Sequence, residues 1–315
     1  MTRGTIPDPD DGLRSAPEGR GAGAEVESRS PGLTEVLDLV RRARRFDSSG
    51  YCLSVLACRV DDRIAAAGAG GYGDYLNLLE SSPREVDALV EALTIKVSSF
   101  FRDPLVFEFL GEVVLPSLLV ERPEAADSGL RIWSAGCCNG EEPYSVAILL
   151  RDLARRVREP VDARIFATDV DENALARGRE ALYSRESLAN VRLGLLESSF
   201  APEGELYRVI PEIAGTVRFS LHDLAGPGTA APSESVFGSF DLVLCRNVLI
   251  YFEAELQQRV FERLCWSLAP GGFLLLGPAE RLSGPWAGRL RPVDGCVGLY
   301  RKPARNGRSF EGSPP

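Results

Sequence analysis

From Leu130 onward the apolar residues of this chain stop recurring every three to four positions and gather into short, nearly continuous runs. The runs are RIWSAG from Arg131, ARIFATDVD from Ala163, VRFSLHDL from Val217, FDLVLCRN from Phe240 and GGFLLLG from Gly271. Helical stretches lie between several of them: VAILLRDLARRV from Val146, Glu172 to Leu182, and Glu253 to Leu268. Strands that are apolar on both sides are buried on both faces, and helices placed between them make the sheet mostly parallel. The pattern therefore predicts an α/β, doubly wound domain. In such a sheet ligands sit at the carboxyl ends of the strands, and the residues there are Gly136, Asp169, Asp223 and Asn247.

The preceding segment has a different period. Leu33, Val36, Leu37 and Val40 share one helical stripe, followed by Tyr75, Leu76, Leu78 and Leu79, then Val86, Leu89, Val90 and Leu93. This predicts a small N-terminal helical domain over residues 33–100. Gly68 to Gly73, read as GAGGYG, breaks the helices, and Ser82-Pro83 opens the last one as N-cap and first helical residue. Residues 1–32 are rich in Pro, Gly, Ser and charge and are expected to be a disordered tail, as are residues 303–315. The remaining span, 101–302, is the α/β domain. Within it, residues 183–217 interrupt the alternation and are expected to form an inserted β-subdomain.

Composition narrows the function classes. With 315 residues, 44% of them apolar, the chain has material for well-filled cores. A formal charge of −9 argues against a general binder of nucleic acid or anionic membranes. There is no apolar run of the roughly 18 residues a membrane span requires, nor a signal-type N-terminus, so a cytoplasmic location is expected. The seven cysteines include no CxxC pair, and a single histidine, His222, leaves little for a zinc cluster or a catalytic triad. No metal is expected.

The loop after the first strand, IWSAGCCNGEEPYS, carries the chemistry. Its Gly136 lets backbone amides approach a ligand, and a helix start follows. A phosphate loop would continue with Lys and a hydroxyl, whereas Gly140 is followed by Glu141 and Glu142, which repel phosphate. Carboxylates suit a ligand with an ammonium or sulfonium group, and S-adenosylmethionine has both. Asp169, ending the second strand, stands where a doubly wound nucleotide site places its ribose-binding acid. As a plain turn residue it would read the same way, and Asp171 would cap the next helix. An acid there fits a nicotinamide dinucleotide and S-adenosylmethionine alike, although GEEP disfavours a pyrophosphate.

Four blocks, TIKVSSFFRDPLVF from Thr94, RIWSAGCCNGEEPYS from Arg131, FATDVDENAL from Phe166 and FDLVLCRNVLIYF from Phe240, resemble in this order the CheR-type chemotaxis receptor methyltransferases. The resemblance extends from about Leu33 to Arg301 and takes in APGGFLLLG from Ala269. It implies a Rossmann-like methyltransferase domain using S-adenosyl-L-methionine, releasing S-adenosyl-L-homocysteine and forming glutamyl methyl esters on a methyl-accepting chemoreceptor. Carried onto this sequence, it puts Ser98 and Arg102 at the methionine moiety, and Lys96 at a cofactor-binding position where the family has a contacting amide. Glu141 would meet the amino-acid end, Asp169 the ribose, Asp223 and Leu224 the adenine, and Arg246 and Asn247 the floor beside Gly136. Arg102 and Tyr251 would face the transferred methyl group as the catalytic pair, while Phe100 and Phe101 read equally well as core.

The chain departs from the family pattern in places. Where N-x-T-x-FFR is usual it has Lys96 and Ser98, STGEEP has become CNGEEP, and GHSE has become Gly277-Pro278-Ala279-Glu280. The second helix, commonly Arg-rich for gripping an acidic receptor helix, keeps Arg59 and Arg63 and adds Asp61 and Asp62, which weakens such docking. In the family the inserted subdomain can bind a receptor's tether. Three readings follow: a receptor glutamate methyltransferase, a methyltransferase with another acceptor, or a non-catalytic scaffold binding S-adenosylmethionine or a receptor.

Overall fold

The computed structural model describes residues 31–44, 46–94, 98–121, 129–226, 231–232, 235 and 239–304. The expected tails, apart from residues 31–32 and 303–304, lie outside them, as does Lys96.

Four helices come first: α1 (Pro31–Arg44), α2 (Leu53–Ala67), α3 (Tyr72–Ser81) and α4 (Pro83–Leu93). Their apolar stripes converge on one core in which Val36, Val40, Val60, Tyr75 and Leu89 are fully buried. Each such side chain contributes about 1.5–3 kcal/mol on leaving water, and this packing holds helices too short to persist alone. Their ends carry local signals. Gly68 closes α2 in the left-handed region at φ 69°. At the start of α4, the Ser82 side chain accepts a hydrogen bond from the Glu85 amide. Arg63 of α2 is not displayed for a partner: it forms a two-bond ion pair with Glu85, which also accepts from Tyr75.

Next come α5 (Pro104–Phe109), a π-turn, and α6 (Leu115–Val120), leading to the large sheet. Its strands are β1 (Leu130–Ala135), β2 (Ala163–Asp169), β6 (Val217–Leu221), β7 (Phe240–Cys245), β8 (Leu268–Leu276), β9 (Arg291–Pro292) and β10 (Leu299–Arg301). They lie in the order β6-β2-β1-β7-β8-β10-β9. The first five are parallel, and β10 pairs antiparallel with β8 and β9. Helices α7 (Glu141–Val157), α8 (Glu172–Glu180) and α11 (Ala254–Ser267) complete the winding.

Side-chain alternation divides the sheet between two cores. Ile132, Ile165, Leu242, Leu244 and Leu275 face one, with Ile148 and Leu153 of α7. Trp133, Phe166, Val243, Cys245 and Leu274 face the other, with Val260, Phe261 and Leu264 of α11. Two buried faces explain the unbroken apolar strands read from the sequence.

Between α8 and β6 the chain makes a separate antiparallel sheet from β3 (Leu182–Ser184), β4 (Phe200–Glu203) and β5 (Leu206–Val209), in the order β3-β5-β4. Short helices α9 (Leu193–Ser199) and α10 (Pro211–Ala214) flank β4 and β5. Val217 already belongs to the large sheet. Among the described residues no helix is long and apolar enough to cross a membrane.

Candidate active site

In the parallel sheet, β1 continues outward through β2 to β6 on one side while β7 and β8 extend on the other. This reversal opens a crevice at the carboxyl ends of β1 and β7. A cavity of about 390 Å³ occupies it, within the roughly 300–1,000 Å³ common for small-ligand sites. Of the residues expected at the site, Ser98, Arg102, Gly136, Asp169, Asp223, Leu224, Arg246, Asn247 and Tyr251 all line it.

The floor is a backbone turn. Gly136 has φ 76°, and a Cβ there would stand 2.4 Å from Val248, so only glycine fits. The amides of Gly136 and Cys137 both donate to the Thr168 carbonyl, folding the loop across the end of β2. Cys138, in the left-handed region at φ 54°, then donates its amide to Asp169 Oδ2 at 2.9 Å, and Asp171 donates to Oδ1 at 3.0 Å. Two amides thus fix the plane of the Asp169 carboxylate. An ionised carboxylate accepts hydrogen bonds and donates none, which suits hydroxyl donors on a ligand. Asp171 separately caps α8 by accepting from the Asn173 amide.

At the next strand end, His222 and Asp223 enter the wall. Asp223 accepts from the Ala225 amide at 2.8 Å, while His222 Nε2 is buried with no hydrogen-bond partner among the described residues. Burial holds the His222 imidazole below its ordinary value, with Asp223 opposing and Arg263 reinforcing. His222 carried no role in the sequence reading because a lone histidine has no spacing to mark it.

The opposite wall is built from charges that lie far apart in sequence. Arg246, only 2% exposed in its side chain, pairs with Asp103 at 2.5 Å and Glu142 at 3.3 Å. It also donates to the Arg102 carbonyl at 3.0 Å and lies over the Phe107 ring. Arg102 is flanked by two residues in the left-handed region, Phe101 at φ 53° and Asp103 at φ 63°, a conformation that side chains with a Cβ resist. Arg246 holds that turn from below. The Phe101 amide, donating to Ser145 Oγ at 2.9 Å, holds it from the side. Phe100 and Phe101 are buried in the core. Sequence pattern alone could not place Asp103 or Glu142 against Arg246, since 143 and 104 positions separate them.

Glu280 organises the third segment. Its carboxylate is buried and accepts from the amides of Asn247, Val248 and Leu249 at 2.7–3.0 Å and from Gly277 at 2.6 Å. These bonds set the turn that carries Asn247, at φ 59°, and the short helical turn ending in Tyr251. The Tyr251 phenol is raised by burial, against which the charges of Arg102 and Arg59 act.

Glu141 opens α7. It is buried at the start of α7 and does not line the cavity, whereas its neighbour Glu142 does. The first turn of α7 aims Glu141 toward Asn139, Ser98 and Arg177, and Glu142 toward Ser134 and Arg246. Burial pushes both carboxyls up, and hydrogen bonds and cations oppose it in each case. Ser98 touches both the cavity and Glu141, whose Oε2 is buried with no hydrogen-bond partner among the described residues.

These features fit S-adenosylmethionine. The Asp169 carboxylate, the His222 imidazole nitrogen without a partner among the described residues, and Asp223 all line the cavity, and acidic rather than phosphate-binding groups surround the glycine turn. Among the described residues, no group of His, Cys, Asp and Glu is arranged to hold a metal ion.

Comparison with known proteins agrees. Residues 96–293 match the domain described as CheR methyltransferase, SAM binding domain, and residues 31–94 match CheR methyltransferase, all-alpha domain. The chain is 33% identical to a chemotaxis protein methyltransferase of Listeria innocua, covering 68% of this chain and 76% of that one. It is also 33% identical to the chemotaxis protein methyltransferase of Escherichia coli, over 71% and 75% respectively. An uncharacterised 104.1 kDa protein of Rhodobacter capsulatus is 34% identical over 79% of this chain, which spans a quarter of that protein's length, 25%. With its helical domain, its S-adenosylmethionine-binding sheet and the polar strand ends that line one cavity, the chain belongs to the CheR methyltransferase family.

Proposed function

We propose that this chain is a cytoplasmic protein-glutamate O-methyltransferase. Its substrates are S-adenosyl-L-methionine and glutamate side chains of a methyl-accepting chemoreceptor, and its products are S-adenosyl-L-homocysteine and glutamyl methyl esters. The observation that carries the proposal is that a single cavity is lined by Asp169, Asp223, Arg102 and Tyr251 together.

Bound S-adenosylmethionine would supply an electrophilic methyl group on a sulfonium. Asp169 would hold its ribose, Asp223 and Leu224 its adenine, and Ser98 its methionine portion. The chain's own residues have little proton chemistry to perform, because a glutamate carboxylate is already ionised near neutral pH and needs no general base. Arg102 receives that carboxylate as a charge-assisted donor, and Tyr251, whose burial keeps its phenol protonated, can donate a second hydrogen bond. Fixing two reactants in one geometry can contribute about 7–11 kcal/mol, which suits a site without a catalytic histidine. The rigid turn around Arg102 is the structural support for such a role.

Calorimetric titration with S-adenosylmethionine and S-adenosylhomocysteine, followed by labelling of chemoreceptor cytoplasmic fragments, tests the proposal. We expect saturable binding, weakened about 10- to 100-fold in Asp169→Ala, and base-labile label on receptor glutamates. If the wild-type protein binds neither compound, the enzyme reading fails. Binding without base-labile label would transfer the assignment to a different acceptor.

A further inference from the structure

Tyr51 lies at the seam between the helical domain and the sheet, packing against the cores of both. The loop that carries it, between α1 and α2, is tied to the segment after β7. Glu253 donates its amide to the Gly50 carbonyl at 2.7 Å, and Cys52 donates to the Tyr251 carbonyl at 2.9 Å, forming an antiparallel bridge between Tyr51 and Phe252. The Tyr51 ring meets Phe252 edge-on at 4.8 Å and Phe46 at 5.5 Å. Gly50, at φ 83°, sits so close to Leu256 that an added Cβ would approach it to 3.0 Å.

This fixed ring forms part of the cavity wall, together with Asp169, His222 and Asp223. Its hydroxyl makes no hydrogen bond to the described residues, yet it is not sealed within the protein. A phenylalanine would fill the same space against Phe252 and Phe46. Once a ligand fills the cavity and covers this hydroxyl, it costs desolvation unless the ligand accepts its hydrogen bond. Burial and the nearby carboxylates of Asp223 and Asp169 keep the phenol protonated and therefore a donor.

We propose that Tyr51 closes the nucleoside end of the cofactor cavity and donates a hydrogen bond to bound adenosine, so that the helical domain supplies part of the cofactor site. The inference rests on the S-adenosylmethionine reading above. It makes ligand binding and the seating of the helical domain on the sheet a single event, because the same loop provides the donor and the bridge.

The test is titration of wild-type protein and Tyr51→Phe with S-adenosylhomocysteine and with 5′-methylthioadenosine, which keeps the adenosine and lacks the amino-acid end. Loss of one hydrogen bond predicts affinity about three- to tenfold weaker for both ligands by the same factor, with the thermal midpoint of the unliganded protein unchanged. Equal affinity of the variant and the wild type would overturn the role of Tyr51 while leaving the cofactor reading standing. Failure of the wild type to bind either ligand would overturn both. Hydrogen exchange on the wild-type protein gives an independent arm: S-adenosylhomocysteine should slow exchange at the amides of Cys52 and Glu253, and unchanged exchange there would also overturn the inference.

Discussion

The part of the cavity wall formed by Gly136, Asp169 and Asp223 and the part that carries Arg102 and Tyr251 are made in different ways. In the first, Gly136 follows β1, Asp169 ends β2 and Asp223 lies just past β6, and backbone amides from neighbouring turns orient the two carboxylates. In the second, Arg102 stands on a strained turn, and it is kept there by the arginine just after β7, an aspartate before α5 and a glutamate from α7. The first part is secured by main-chain geometry and the second by buried charges. A site of the second kind concentrates its vulnerability in a few side chains.

The largest effect should come from breaking that charge cluster. In Arg246→Ala, Asp103 and Glu142 would lose their shared cation, and removal of one member of a buried ion network costs about 3–5 kcal/mol. Urea unfolding should show the loss as a lower midpoint at unchanged slope. A midpoint within experimental scatter of wild type would mean that the turn is held by packing alone.

Arg102→Ala should separate function from folding. Displacement of a positioning group costs about a hundredfold in rate, so turnover on receptor glutamates should fall by about that factor, while the thermal midpoint moves little. If stability falls in step with turnover, Arg102 is a structural member of the cluster and the contrast between the two parts of the wall is weaker than drawn.

The smallest effect belongs to the wall that holds Asp169, His222 and Asp223. Burial keeps His222 neutral in the folded protein below its ordinary value. As pH falls through about 6.5, the unfolded chain takes up a proton that the folded chain refuses. The stability contributed by neutral burial is therefore complete above that value and is lost as pH falls through the lower folded one. Thermal unfolding across that range should decline less steeply for His222→Phe than for wild type. Identical slopes would show that other groups govern the acid limb.

Opposite charges on α2 also behave differently from their appearance in sequence. Arg63 is committed to Glu85, Arg59 lies 3.8 Å from Asp62, and Tyr72 bonds Asp61. The helix face that reads as a depleted docking surface is thus partly internal wiring of the helical domain.

Sequence by itself determined the two-part organisation, the mostly parallel sheet and the strand-end positions of Gly136, Asp169 and Asp223. These depend on local quantities: apolar period, glycine where a side chain would clash, and an acid closing a strand. The order of FFRD, GEEPYS and CRNVLIYF further marked Arg102 and Tyr251 as neighbours. Only the tertiary structure decided that Glu142 lines the cavity, because that depends on which way the first turn of α7 faces the sheet. It also joined Arg246 to Asp103, set Glu280 under the turn bearing Asn247, and brought Tyr51 of the helical domain to the ligand wall. Contacts of this kind span tens to hundreds of positions and are selected by where buried charges and unpaired amides can find partners, a condition that no local pattern encodes.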